Sequence, residues 1–106
     1  MKTYKDAIFS GKAKYFLSAG YNRGWLYLTQ ERLIFIGLFT AGSSWSRSGD
    51  SYKIEIPLSN IVNIKLSISK ERMILNAIDG KRERFMMNNR KEWIEQICRV
   101  RPIEVR

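Results

Sequence analysis

Apolar and polar residues alternate with a period of two over much of the chain, which is the pattern of half-buried β-strands. The clearest case is residues 62–68, where Val, Ile, Leu and Ile alternate with polar residues. Residues 33–36 are apolar at every position, so we expect a central strand covered on both faces. The predicted strands are 13–18, 24–29, 33–36, 52–57, 62–68, 72–78 and 81–87.

Three connections stand out between these strands. Asp79-Gly80 separates two strand patterns and predicts a two-residue hairpin with a type I′ turn, in which both central residues take positive φ. Residues 19–23 (AGYNR) are turn-prone and predict a connection between the first two strands. Residues 38–51 are mostly small and polar, and they predict the longest loop of the chain.

The period changes from two to 3.6 near the end of the chain, which predicts a helix over about 89–101. The apolar stripe at i, i+4 and i+7 consists of Trp93, Ile97 and Val100. Asn89 followed by Glu92 is typical of an N-cap with a capping-box partner. A lone helix after several strands must cover an open face or end of the sheet, and we expect Trp93 to fill that end. The fold class is therefore mainly β with one C-terminal helix.

Charge is the strongest compositional signal. The chain of 106 residues carries 19 Lys and Arg against 10 Asp and Glu, a net charge of +9, and it has no histidine. The excess favours anionic partners such as lipid headgroups, acidic proteins or nucleic acid. The net charge is divided almost evenly between the two halves of the sequence, +4 over residues 1–57 and +5 over residues 58–106, so the sequence indicates a diffuse charge and no single strong anion site.

The same composition argues against catalysis. Without histidine, the commonest general base and a frequent zinc ligand are missing. Cys98 is the only cysteine, so it has no partner for an intrachain disulfide and no histidine to activate it. The carboxylates are scattered, with no pair at acid/base spacing. We therefore predict a protein that is not an enzyme, with no catalytic residue, no cofactor and no metal site.

No apolar run approaches the length of a membrane span. The longest, Leu33–Phe39, is far short of the roughly 20 residues that a spanning helix needs. The beginning of the chain lacks the apolar core of a signal peptide. We expect a cytoplasmic protein whose contact with a membrane, where it occurs, is peripheral.

Four short motifs occur in a characteristic order: GWLYLTQERLIF at 24–35, IPLSNI at 56–61, Asp79-Gly80 with Phe85, and RKEW at 90–93. Together they resemble the GRAM domain pattern over roughly residues 5–100. The resemblance implies a pleckstrin-homology-like fold: a partly open antiparallel barrel of seven strands (about 5–87) capped by the helix, as one domain over 1–106. It implies a binding module for lipid headgroups or for proteins at membranes.

The first candidate site combines basic residues near the first strands with aromatic residues of the long loop. An aromatic ring beside a cation suits a membrane interface, because the ring settles at headgroup depth while the cation meets phosphate. The alternative is that the aromatic residues of the loop fold back onto the sheet. The residues of this candidate are Lys12, Lys14, Arg23, Phe39, Trp45 and Arg47.

A second candidate is a basic stretch at the last hairpin strand and the start of the helix. By strand alternation Arg82 and Arg84 share one face. Arg90 and Lys91 come at a helix N-terminus, where the macrodipole disfavours cations. Such an arrangement fits an anion site, and it fits an ordinary solvated surface equally well.

Two other binding functions remain open. Trp25 and Tyr27 on one strand face could stack the bases of a single-stranded nucleic acid, although the βαββαβ order of an RNA-recognition domain is absent. A protein partner or a second copy of the chain could add a strand to an open sheet edge. Salt separates these functions, because binding to lipid or nucleic acid weakens as the salt concentration rises, whereas an apolar protein interface is less affected.

Overall fold

One continuous sheet of eight strands forms the body of the computed structural model, which describes residues 6–17, 20–38, 51–69 and 71–106. The strands are β1 (Phe9–Leu17), β2 (Gly20–Leu28), β3 (Arg32–Leu38), β4 (Ser51–Pro57), β5 (Ile61–Leu66), β6 (Arg72–Ala77), β7 (Arg82–Met86) and β8 (Glu104–Val105). A single 3₁₀ turn, Leu58–Asn60, connects β4 to β5, and the helix α1 covers Arg90–Val100.

The strand order is β4-β3-β2-β1-β7-β6-β5-β8, so the sheet is open, with β4 and β8 at its two ends. The pairing of β1 with β7 joins the first half of the chain to the second. This architecture confirms the predicted fold class, which is mainly β with a C-terminal helix. The sequence did not predict β8, a two-residue strand that pairs in parallel with β5.

The inner face of the sheet and one side of α1 form the core. Trp93 and Ile97 of the helix are fully buried, and the ring of Phe9 meets the indole of Trp93 edge-on at a centroid distance of 4.6 Å. Burial of Trp93 agrees with the apolar stripe predicted for the helix. The largest buried strand residues are Phe35, Phe85, Leu26, Leu28, Leu33, Ile64, Met73 and Leu75.

The hairpin between β1 and β2 is longer than the sequence indicated. Residues 20–23 were predicted as a connection, but they lie in β2 and pair with β1 as far as Leu17 opposite Gly20. The prediction was wrong because it weighted glycine and asparagine as turn residues. The cross-strand pairs Phe16–Tyr21 and Lys14–Arg23 continue the ladder instead, and tertiary pairing of this kind outweighs local propensity.

The turn between β6 and β7 also differs from the prediction. The amide of Gly80 donates to the carbonyl of Ala77 at 3.0 Å, and the amide of Ala77 donates to the carbonyl of Lys81 at 2.9 Å. The loop is therefore three residues long, 78–80, and Gly80 at its third position has φ of +88°. This is the hairpin that closes with a glycine bulge and not the two-residue type I′ turn.

The helix begins as predicted, but its capping differs. Asn89 is the N-cap residue, and its side chain makes no hydrogen bond to a backbone amide of the first turn. Instead, Nδ2 of Asn89 donates to Oε1 of Glu92 at 2.9 Å. The two residues contact each other without forming the reciprocal capping box, since the Glu92 carboxylate is engaged by the asparagine side chain.

Candidate functional site

Basic side chains are concentrated on the outer face of five neighbouring strands of the sheet, which in spatial order are β2, β1, β7, β6 and β5. Alternate residues of a strand point to opposite faces, so the burial of Ala13 and Tyr15 on the core side directs Lys12 and Lys14 outward. Alternation also directs Arg72, Arg82 and Arg84 outward on β6 and β7, and Arg23 and Lys65 are exposed on β2 and β5. We call the following set the outer basic face: Lys12, Lys14, Arg23, Lys65, Arg72, Arg82 and Arg84.

The β1–β7 pairing brings part of each sequence-predicted group onto this one surface: Lys12, Lys14 and Arg23 of the first group, and Arg82 and Arg84 of the second. Lys14 lies opposite Arg23 on one side and opposite Met86 on the other, and Met86 in turn lies opposite Arg72. Arg23, Lys14, Met86 and Arg72 therefore form a row of adjacent residues across β2, β1, β7 and β6. With neighbouring strands about 4.8 Å apart, residues that are distant in sequence become close neighbours. Charge that is diffuse along the sequence is concentrated by the fold.

A cavity of about 420 Å³ opens beside the first of these groups. The predicted residues Lys12, Lys14 and Arg23 all line it, and Trp25, which is opposite Lys12 across the strands, contributes an aromatic wall. The remaining lining residues are Ala13, Gly24, Glu71, Met86, Met87 and Asn88. Cations next to apolar surface suit a ligand that has both an anionic group and an apolar part.

The positive charge of the cavity is not neutralised by ion pairs within the described part of the chain. The ion pairs found there join Glu55 to Arg32 and Lys53, and Glu104 to Arg106. Glu71 is the one acidic residue among those that line the cavity. Like charges directly opposite each other on paired strands are destabilising, so the Lys14–Arg23 pair lowers stability and keeps the cations available to an anion.

Two arginines of the outer basic face lie over aromatic rings. The guanidinium carbon of Arg72 is 5.5 Å from the ring centroid of Tyr21, and that of Arg84 is 5.4 Å from the ring centroid of Phe16. The two rings meet edge-on, with centroids 5.3 Å apart. We call these four residues the arginine–aromatic cluster. Sequence reasoning missed Arg72, Tyr21 and Phe16, because assigning residues 19–23 to a turn hid the pairing of Phe16 with Tyr21.

The remaining members of the second predicted group lie apart from the cavity. Nη1 of Arg90 donates to the backbone carbonyls of Ser67, Ser69 and Arg72 at 3.3, 2.7 and 3.0 Å, so this arginine holds the connection between β5 and β6. Lys91 is exposed on the first turn of α1. Arg82 is exposed and lies opposite Asn76 at the far end of β7.

The inner face of the sheet carries a polar pair, Tyr15 and Glu83, that includes an acidic side chain, in contrast to the basic outer face. The hydroxyl of Tyr15 donates to Oε2 of Glu83 at 2.5 Å. Burial raises the pKa of Tyr15 well above its ordinary value, and the hydrogen bond to the Glu83 carboxylate raises it further. Burial likewise raises the pKa of Tyr52. Because Glu83 contacts Tyr15 on the core side, its neighbours in β7, Arg82 and Arg84, face outward.

The two aromatic residues considered for base stacking, Tyr27 and Trp25, differ in their exposure. Tyr27 is buried, with 2% of its surface exposed, so it is not available to stack a base, whereas Trp25 is half-buried at the cavity. Phe39, Trp45 and Arg47 lie outside the described residues. Cys98 is half-buried, and its Sγ lies 3.6 Å from the carbonyl oxygen of Ile103.

The described residues contain no group of three or more Cys, Asp and Glu side chains placed to hold a metal ion. No helix among them is sufficiently long and apolar to cross a bilayer.

Comparisons with known proteins agree with this architecture. The GRAM domain family model matches residues 4–102. The C-terminal domain of an unknown protein from Leishmania infantum has a TM-score of 0.69 at 12% identity, covering 89% of this chain and 82% of that chain. No curated protein sequence matches significantly.

Structures of the Slm1-PH domain are also similar. The complex with inositol-4-phosphate has a TM-score of 0.62 at 17% identity, covering 89% of this chain and 95% of that chain. The complex with phosphoserine has a TM-score of 0.59 at 19% identity, covering 90% and 92%. At these identities the likeness shows a shared fold.

Proposed function

We propose that this chain, which belongs to the GRAM domain family, is a non-catalytic peripheral membrane module that binds the phosphate of an anionic lipid headgroup. The cavity beside Lys12, Lys14 and Arg23 is the proposed site. The observation that carries the proposal is the like-charged Lys14–Arg23 pair, which lines a cavity and has no acidic partner in any ion pair of the described residues. The Slm1-PH complexes with inositol-4-phosphate and phosphoserine support the choice of a phosphate ligand.

Each residue has a distinct part in the proposed binding. The guanidinium of Arg23 presents a planar fork of N–H donors that can hold two phosphate oxygens, while Lys12 and Lys14 act as point charges. The half-buried indole of Trp25 offers an amphipathic ring of the kind found at headgroup depth. The acyl chains stay in the bilayer, so no cavity for them is needed.

The expected affinity is modest and depends on salt. Each cation near an anionic leaflet contributes about 1 kcal/mol, and this attraction falls off within a Debye length of about 8 Å at physiological ionic strength. The proposed setting is the cytoplasmic face of a membrane, where anionic lipids are concentrated. Further copies or partners on the same membrane would raise the overall affinity.

Vesicle sedimentation tests the proposal. We expect the chain to bind phosphatidylcholine vesicles that contain about 30 mol% phosphatidylserine, to bind pure phosphatidylcholine weakly, and to release as salt increases. The double variant Lys14→Gln/Arg23→Gln should lose about tenfold or more in partition coefficient. The matched control Arg99→Gln/Arg101→Gln removes the same charge from the C-terminal end of α1 and should bind nearly as wild type does.

Equal binding by the two double variants, or no binding of wild type to anionic vesicles at low salt, would overturn the proposal. The rival ligand is a single-stranded nucleic acid. The arginine–aromatic cluster favours it, because aromatic rings can stack on bases while the arginines meet the phosphate backbone. A single-stranded oligonucleotide that binds more tightly than the vesicles would support that rival. Binding to a protein partner that does not weaken with salt would point to an apolar interface.

A further inference from the structure

We infer that the arginine–aromatic cluster is a second phosphate subsite, separate from the cavity, so that the outer basic face binds two phosphate groups at once. This inference rests on the proposed function and extends it to the class of ligand. The two phosphates come either from one headgroup or from two neighbouring lipids.

The cluster is distinct from the cavity but lies on the same surface. None of Phe16, Tyr21, Arg72 and Arg84 lines the cavity. Phe16 and Tyr21 are nevertheless two positions along their strands from Lys14 and Arg23, and so they face the same side of the sheet. A ligand that approaches this side meets the cavity and the cluster together.

The arginine charges of the cluster remain available to an anion. Neither Arg72 nor Arg84 takes part in an ion pair within the described residues. Each guanidinium instead lies over an aromatic ring, and a guanidinium in that position still has N–H groups that can donate to an anion. An aromatic contact therefore orients each arginine and leaves its charge unneutralised, whereas a carboxylate partner would orient the arginine and also neutralise its charge.

The backbone beneath the cluster is well fixed. Arg72 is paired with Met86 at the start of β6, and its carbonyl accepts a hydrogen bond of 3.0 Å from Nη1 of Arg90. Arg84 is paired with Ile74 in the middle of the same ladder. A side chain held by a rigid strand and a ring loses less conformational entropy when it binds, which raises affinity for a given number of contacts.

Charge-preserving variants give the sharpest test. Arg72→Lys/Arg84→Lys keeps both charges but removes the planar fork of N–H donors. If the cluster is a subsite, the partition coefficient on phosphatidylserine vesicles should fall at least threefold. If only diffuse charge attracts the membrane, binding should be unchanged, and that result overturns the inference. Thermal unfolding of each variant verifies that the fold is kept.

The source of the second phosphate is found by varying the lipid. If two lipids are engaged, the partition coefficient should depend on the mole fraction of phosphatidylserine with a slope near two on a double-logarithmic plot for wild type. The slope should be near one for Arg72→Gln/Arg84→Gln. If one headgroup supplies both phosphates, wild type should instead prefer phosphatidylinositol bisphosphate vesicles over phosphatidylserine vesicles of equal charge, and the variant should lose that preference. Inorganic phosphate should compete weakly with both.

The proposed function and this inference can fail separately. If Lys14→Gln/Arg23→Gln weakens binding while Arg72→Gln/Arg84→Gln behaves as the Arg99→Gln/Arg101→Gln control does, the cavity is the whole site and the inference is wrong. If the Lys14/Arg23 variant binds as the control does, the proposed function fails, whatever the cluster variants show.

Discussion

Lys14 and Arg23 are direct cross-strand partners on the outer surface of β1 and β2. Two positive charges in this relation repel each other, and neither has an acidic partner in an ion pair of the described residues. Sheets are usually stabilised by opposite charges at such positions. The pair therefore has a cost in stability, and binding of an anion is the most direct way to offset it.

The first prediction is that Lys14→Glu stabilises the fold while it weakens membrane binding. Replacing a like-charge pair by an opposite pair should raise the free energy of unfolding by about 0.5 kcal/mol, measured by urea denaturation at low salt. Binding to anionic vesicles should fall at least tenfold in the same variant. Arg99→Glu, which makes the same change of charge on α1, is the control. A loss of stability in Lys14→Glu would show that the repulsion is not significant.

The second prediction concerns Gly24, which allows close approach of the neighbouring strand. A Cβ at this position would lie 2.3 Å from the carbonyl oxygen of Ile36 and 2.4 Å from the ring of Phe35. The carbonyl belongs to the sheet backbone and cannot move freely, so Gly24→Ala should cost about 2–3 kcal/mol of unfolding free energy. Gly20→Ala is the matched control in the same strand, since its Cβ would meet nothing within 4 Å. Equal stability of the two variants would contradict this account.

The third prediction is a loss of stability at alkaline pH that depends on Tyr15. Its pKa is raised in the folded protein above the value near 10 of an unfolded tyrosine. The folded state therefore keeps the phenolic proton over a range in which the unfolded state releases it. The contribution of Tyr15 is complete below about pH 10 and decreases as the pH rises above that value, by at most about 1.4 kcal/mol per pH unit.

Tyr15→Phe separates this effect from other alkaline titrations. Near neutral pH the variant should be about 1 kcal/mol less stable, because Glu83 loses its hydrogen-bond donor. As the pH rises past about 10, the difference from wild type should shrink, since only wild type loses the Tyr15 contribution. Urea denaturation at a series of pH values measures it, and a constant difference would rule out the raised pKa as the cause.

The fourth prediction is that Arg90 orders the connection between β5 and β6. Arg90→Ala removes the hydrogen bonds to the carbonyls of Ser67, Ser69 and Arg72, and should destabilise the chain by about 2 kcal/mol. Hydrogen exchange of the amides of residues 67–69 and 71–72 should become faster, more than in the core strands. Lys91→Ala, the adjacent exposed cation, should leave both quantities unchanged. Unaltered exchange in Arg90→Ala would mean that the turn is held by its own backbone.

Secondary structure with strong periodicity could be predicted from the sequence, and special local geometry could not. The stripe of Trp93 and Ile97 specified the helix, because the burial of one side of a helix leaves a period of 3.6 in the sequence. The β6–β7 turn was predicted with the wrong length, since Asp-Gly is compatible with both two-residue and three-residue hairpins. The sequence predicts residues 19–23 as a connection, because the pairing that makes residues 20–23 a strand is with the neighbouring strand β1.

The candidate site shows the same division. Lys12, Lys14 and Arg23 were recognised as a basic group near the first strands, and the structure places all three at the cavity. Arg82 and Arg84 formed a separate group in the sequence. Only the tertiary structure shows that both groups share a surface, because β1 pairs with β7 and no local pattern specifies that partner.

The sequence by itself determined the period of seven of the eight strands and of the helix, the family pattern, the excess of positive charge and the lack of histidine, because these properties depend on residue type and local spacing. Tertiary structure decided which strands are neighbours, and hence whether the charge is spread or concentrated. Strand pairing between distant segments depends on the burial and hydrogen bonding of the whole sheet, so a charge pattern that is even along the chain becomes a basic face in space.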